Sequence, residues 1–273
     1  MKPTAIRYLI SRGGGIFKNL YFLVFLNGFF LAFLCFFRIE DRYENGLFDS
    51  IKIAVNSGLG SRDTHDSVVI KAMDYCHQLM SNRAATFSGN SDLGPEATIF
   101  HSTAVDLMTT MGECGSYSEV LARILSNYHY SVRIAQMKVN GIYGGHNVVE
   151  VKTDSNWVAL DPTYDLYFVR PDNHLASFAD IQQDWAFYSR QLPGDYKPAY
   201  RYEAVRYTNW TKIPVLFPFT KYLLDHSIGA TRANNICLRT LFLDTYANWF
   251  YVLLCLYIPL LWTAARRLIA KCS

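Results

Sequence analysis

Two stretches of this 273-residue chain are apolar without interruption, and the region between them is patterned. Asn19 to Phe37 carries no charge over 19 residues, and Tyr246 to Ala265 carries none over 20. At 1.5 Å per residue, either run is long enough as a helix to cross a bilayer core of about 30 Å. The pattern predicts transmembrane helices over 19–37 and 241–265, with Trp249 and Trp262 near the ends of the second run, as an aromatic belt would have them. The first run exceeds a usual signal-peptide core and no small-x-small cleavage site follows it, so it is read as an uncleaved anchor.

Between these runs the period changes from element to element. Residues 38–60 are mixed, and a juxtamembrane linker and packing helix is expected there, with an amphipathic stretch around Leu47 to Val55. Asp63 or Thr64 is placed to cap a helix through Asn82, whose apolar side is Val68, Val69, Ala72, Met73, Cys76, Leu79 and Met80. Ser88 to Gly94 reads as a loop, and Ile99 to Met108 as one more helix. From Cys114 to about Tyr128, Val120, Leu121, Ile124 and Leu125 form a helical stripe, with Ser116 and Glu119 in a capping-box pattern. Tyr130 to Val139 alternates like a strand, Asn140-Gly141 is a hairpin turn signal, and His146, Val148 and Glu150 share one face of the next strand. Trp157 to Leu160 forms a third strand ending at Asp161. Beyond it come a strand and turn at 165–174 and a helix after Leu175. The Tyr- and Arg-rich stretch from Tyr196 to Trp210 is expected to face headgroups or substrate. Pro214 and Pro218 interrupt Ile213 to Leu224 too often for a third span, so it is expected to lie against the membrane surface.

Charge changes the picture only through topology. The chain is +3 overall, but residues 1–18 and 266–273 hold seven basic residues and no acid. The remainder has 19 Lys and Arg against 23 Asp and Glu, a net of −4, which excludes a nucleic-acid footprint. Positive charge outside both spans predicts a cytoplasmic N-terminus (1–18), a cytoplasmic basic tail (266–273) and an extracytoplasmic domain over 38–240. Asn209-Trp210-Thr211 fits a glycosylation sequon, relevant only to a eukaryotic source.

Candidate chemistry gathers in one region. Cys114, His146 and Asp161 follow one another 32 and then 15 residues apart. A cysteine becomes a useful nucleophile when a base lowers its pKa and a third group orients that base. Gly112 and Gly115 allow a tight turn around Cys114, and a helix N-terminus there favours a thiolate and can donate N–H groups to an oxyanion. Two antiparallel strands then bring His146 and Asp161 into line, with Asp161 holding one ring nitrogen and the other facing sulfur. His101 is expected to be structural; Tyr164, Tyr167 and Trp185 are candidates for a pocket wall. If Cys114 is free, Cys76 and Cys237 are the pair left for a bridge outside the cytoplasm, and nothing in their spacing supports one. No metal-ligand spacing or phosphate-cradling glycine motif occurs, so no cofactor or metal is expected.

The runs Gly-Glu-Cys114-Gly-Ser-Tyr, Gly-Gly-His146-Asn-Val-Val-Glu-Val and Trp-Val-Ala-Leu-Asp161-Pro-Thr-Tyr together resemble the transglutaminase-like superfamily. The resemblance covers roughly Asp66 to Phe187, and its follow-on is similar to membrane-anchored bacterial members. It implies an α+β, papain-like core, as in arylamine acetyltransferases and peptide N-glycanases: a helix bearing Cys114 packed on an antiparallel sheet bearing His146 and Asp161, between two transmembrane helices. It also implies a Cys-His-Asp triad acting through a thioester. It does not choose among crosslinking, amide hydrolysis and acyl transfer, and it assigns no residue as the second oxyanion donor, usually an upstream side chain in such folds.

The resulting expectation is a two-pass inner-membrane protein with both termini cytoplasmic and a periplasmic transglutaminase-like enzyme domain. It would act on cell-envelope substrates (peptide, glycan or lipid-linked), with the lipid bilayer and a membrane protein complex as partners and no nucleic acid. The alternatives are a non-catalytic scaffold in an envelope polysaccharide or transport assembly and, among enzymes, a cysteine protease.

Overall fold

The computed structural model describes residues 19–60, 65–87, 94–109, 112–154, 156–210 and 217–272. The expected cytoplasmic N-terminus, the Asp63/Thr64 cap, most of the 88–94 loop, Thr211 of the sequon and the start of the 213–224 segment lie outside them. The chain divides into two compact units, Met1–Tyr43 with Tyr246–Ser273, and Glu44–Thr245.

In the first unit, helix α1 (Leu20–Ser57) begins as an apolar rod, and α10 (Thr245–Cys272) has the same character. Both are long and apolar enough to cross a membrane. Aromatic pairs join them: Phe30 with Tyr257 at 6.4 Å and Phe37 with Trp249 at 6.3 Å between ring centroids. Where the sequence predicts a linker after Phe37, α1 continues unbroken. Its charged residues are good helix formers, and Arg38 and Asp41 pair one turn apart at 2.5 Å. At the other end, a 3₁₀ turn (Leu238–Phe242) occupies the first residues of the expected second span, and α10 runs through the basic residues to Cys272.

The second unit is α+β. Its sheet is antiparallel and five-stranded, in the order β4-β3-β2-β1-β5: β1 (Ser131–Val139), β2 (Ile142–Lys152), β3 (Trp157–Asp161), β4 (Leu166–Tyr167) and β5 (Val205–Arg206). Helix α5 (Cys114–Asn127) packs on β1 and β2, and α2 (His65–Phe87) packs on α5. The predicted stripes face inward: Val69, Ala72, Met73, Cys76 and Met80 from α2 meet Val120, Leu121, Ile124 and Leu125 from α5. Each such side chain removed from water stabilises the unit by about 1.5–3 kcal/mol before entropy is counted. The outer half of α1 joins the same core through Phe48, Ile51 and Val55, spaced for one helix face.

Local chemistry explains the joints. Asn140 (φ 49°) and Gly141 (φ 83°) make the left-handed pair that a two-residue hairpin between β1 and β2 requires. The expected single helix over 99–108 is instead two, α3 (Pro95–Phe100) and α4 (Thr103–Met108), because Ser102 adopts an extended conformation between them. Glu150 is fully buried on the sheet; Arg133 holds it at 3.0 and 3.2 Å and Tyr207 donates to it at 2.6 Å. Arg133 in turn lies between the Trp157 and Tyr207 rings, 4.1 Å from each. Cys76 and Cys237 are separate free thiols, one against the Tyr117 carbonyl and the other against the Ile134 backbone.

Candidate active site

Cys114 is the first residue of α5 and half-buried, at the end of the helix where backbone N–H groups point outward. The loop that delivers it is tied from two sides. Arg83 on α2, itself buried, donates to the Gly112 carbonyl and, at 2.9 Å, to the Asp106 carbonyl. Gly112 has φ +84°, a conformation that L side chains avoid, and an added Cβ would overlap Ser116 Oγ. Ser116 is not the cap its spacing predicts. The helix starts two residues earlier, and the Ser116 hydroxyl donates instead to buried Asp106 Oδ1 at 2.6 Å. With the helix already begun at Cys114, position 116 is no cap, and its hydroxyl satisfies a carboxyl oxygen in the interior.

His146 is aimed by a break in the hairpin register. Met137 pairs with His146 while Lys138 pairs with Tyr143, so Gly144 and Gly145 are absorbed as a bulge on β2. Gly144 sits at φ +92°, and a Cβ on Gly145 would lie 2.6 Å from Val139 Cβ. Both glycines are therefore demanded by the backbone. Ser118 on α5 donates to the Asn147 carbonyl at 3.1 Å, fastening the cysteine helix to the strand beside His146.

Asp161 closes β3 because the proline that follows holds it extended. One oxygen accepts the Thr163 N–H at 3.2 Å; the other accepts His146 Nε2–H at 2.6 Å and the Tyr196 hydroxyl at 3.4 Å. A carboxylate carries no proton at neutral pH, so Nε2 is the donor and this fixes the ring's tautomer and orientation. His77 donates to the Pro162 carbonyl at 2.9 Å, steadying the same turn from α2.

The three residues singled out in the sequence thus stand together, with His146 and Asp161 almost wholly buried. Burial alone would depress the imidazole pKa; the Asp161 carboxylate outweighs it and raises His146 to about 9. Burial likewise opposes ionisation of Cys114, but the neighbouring His146 imidazole holds the thiol below its ordinary value. His146 Nδ1 is buried without a hydrogen-bond partner, and the ring acts on the neighbouring Cys114 thiol through its charge. A low thiol pKa beside a high imidazole pKa is the electrostatic condition for a thiolate–imidazolium pair.

Tyrosines cover this cluster. Tyr200 stacks on the His146 ring at 4.2 Å with 9° between planes, and Tyr164 meets it edge-on at 6.0 Å. Burial, followed by the nearby Asp161 charge, pushes the Tyr196 hydroxyl pKa up, so Tyr196 remains a donor at any physiological pH. The segment carrying Tyr196 and Tyr200 folds back at Tyr202, whose left-handed φ of 54° is held by the Phe168, Phe178 and Trp185 rings around it. Of the residues considered as pocket walls, Tyr164 reaches the site, while Tyr167 and Trp185 pack against the core. His101 lies at the α3–α4 break, 3.3 Å from Asp106. Asp106, Arg83 and Asn147 were not foreseen, since each lies in an element predicted only for its pattern or position, and Tyr196 belongs to a stretch expected to face headgroups or substrate with no role for the residue itself. No metal-holding group of three or more His, Cys, Asp or Glu occurs among the described residues. Comparisons with protein-family models, curated proteins and solved structures return no match.

Proposed function

We propose that this protein is a membrane-anchored, transglutaminase-like cysteine enzyme acting on amide or activated acyl groups. The observation that carries the reading is the His146–Asp161 hydrogen bond of 2.6 Å, made by a buried ring whose other nitrogen is left unpartnered, with a cysteine at a helix start in its electrostatic field. In this reading the Cys114 sulfur attacks the substrate carbonyl carbon. The carbonyl electron pair moves to oxygen, and on its return the leaving amine departs with a proton from His146. Water or a second amine then attacks the thioester, giving its proton to His146, and Cys114 is released. Asp161 keeps the imidazole oriented and stabilises its charged form. The papain-like arrangement of helix and sheet belongs to the same proposal.

Two apolar helices with basic residues beyond Ala265 and before Asn19 favour a two-pass arrangement with both termini in the cytoplasm. The catalytic unit then faces the periplasm, and its substrates are peptide, glycan or lipid-linked groups of the envelope.

Intact-mass measurement of iodoacetamide labelling across pH tests the chemistry. The expected result is a single adduct on Cys114 well below the free-thiol pKa of about 8.5, lost in His146→Ala. Slow labelling that rises only near that value in both proteins would sink the enzyme reading and leave a binding module.

A further inference from the structure

We propose that the Asn147 side-chain amide is an oxyanion donor of this site, working with the backbone N–H groups at the start of α5; this rests on Cys114 being the nucleophile. Asn147 Nδ2 lies 3.8 Å from Cys114 Sγ, and the residue is 8% exposed. Its Oδ1 is buried with no hydrogen-bond partner among the described residues, so no bond at that end orients the amide. The N–H₂ end faces sulfur because the amide oxygen there would confront another electron-rich atom. Strand and helix hold it in place: the carbonyl of the same residue accepts from Ser118, and its own backbone N–H also faces Cys114.

Position decides the role. A donor 3.8 Å from the attacking sulfur stands within reach of an oxygen carried on the carbon that bonds to that sulfur. Gly115, the next residue of α5, has no side chain in the intervening space; a Cβ there would come to 3.7 Å from Nδ2. The backbone N–H of Cys114 at the helix start on one side and a buried amide on the other make a two-sided cradle for negative charge. His146 cannot fill this place, since Nε2 is committed to Asp161 and the proposed reaction needs Nδ1 for proton transfer. When Sγ bonds to the carbonyl carbon, the C=O pair moves onto oxygen and Asn147 donates to it. When the pair returns, the bond to the leaving group breaks and the donor is released.

Two reagents separate this role from mere positioning of the thiol. p-Nitrophenyl acetate acylates sulfur through a tetrahedral oxyanion, releasing p-nitrophenolate, whereas iodoacetamide alkylates it by direct displacement with no oxyanion. The full chain in detergent micelles is treated with each above the free-thiol pKa of about 8.5, where the sulfur is ionised in every variant. Asn147→Ala is expected to slow acetylation of Cys114 by about 10²–10³-fold while alkylation stays near the wild-type rate. Asn147→Leu keeps a similar side-chain volume without N–H donors or added charge, and is expected to show the same split should the alanine variant fold poorly. Acetylation at the wild-type rate in both variants overturns the proposal, as does a parallel loss of acetylation and alkylation. If wild-type Cys114 is neither acetylated faster than the Cys114→Ala background nor alkylated at low pH, the nucleophile assignment itself fails and Asn147 loses its role with it.

Discussion

At the scale of residues, the site depends on one carboxylate controlling two other pKa values. Asp161 opposes the desolvation of His146, and the charged imidazole in turn holds down the Cys114 thiol. Asp161→Asn preserves the shape but removes the charge, so His146 should titrate well below its present value of about 9. The thiol then loses its cationic neighbour, and its pKa moves up. Below the free-thiol pKa, the rate of iodoacetamide labelling should fall about tenfold for each unit that the Cys114 pKa rises, while above it the two proteins should converge. Labelling of Asp161→Asn that matches wild type at every pH would show that the carboxylate charge does not control the thiol. The wild-type profile has a second limb: as pH rises through the raised His146 value the imidazolium is lost, so any step that needs His146 as an acid should decline there.

Elements matter through how they are joined. The bulge at Gly144-Gly145 is the device that turns His146 towards α5, and it works only without a side chain at 145. Gly145→Ala forces strand β2 away from Val139, and overpacking of this kind costs about 1–3 kcal/mol. Thermal unfolding of the detergent-solubilised protein should show that loss, together with weaker labelling of Cys114. An unchanged transition temperature would mean that the strand yields without strain. The cysteine loop is fixed by Arg83 rather than by a cap, which explains why α5 can begin at Cys114 although Ser116 and Glu119 advertise a later start. Capping patterns express local preference; the buried Asp106 is a nonlocal competitor that a helix-start rule does not contain.

For the whole molecule, α1 is the element of interest, since its apolar part belongs to one unit and its amphipathic part to the other. The helix runs unbroken from Leu20 to Ser57. If α1 and α10 are spans, alkaline carbonate should leave the protein in the membrane pellet. Reporter fusions after residue 60 and after residue 272 should then report opposite sides of the membrane. Release by carbonate, or the same side for both fusions, would contradict two-pass insertion.

Much of this was legible from sequence, because periodicity and turn chemistry are local. The apolar runs, the α2 and α5 stripes, the Asn140-Gly141 hairpin and the strand ending at Asp161 follow from spacing within about a dozen residues. The sequence also singles out Cys114, His146 and Asp161 by their local contexts, and the structure brings His146 and Asp161 into a hydrogen bond. Tertiary structure alone decided which groups surround them. Asn147 beside the sulfur, Tyr200 on the imidazole, Tyr196 on the carboxylate and Asp106 on Ser116 are partners separated by 33, 54, 35 and 10 residues, positions that no period links. The reason is physical: a chain's local preferences choose its helices and strands, but packing between those elements chooses which polar groups must share the dry space left between them.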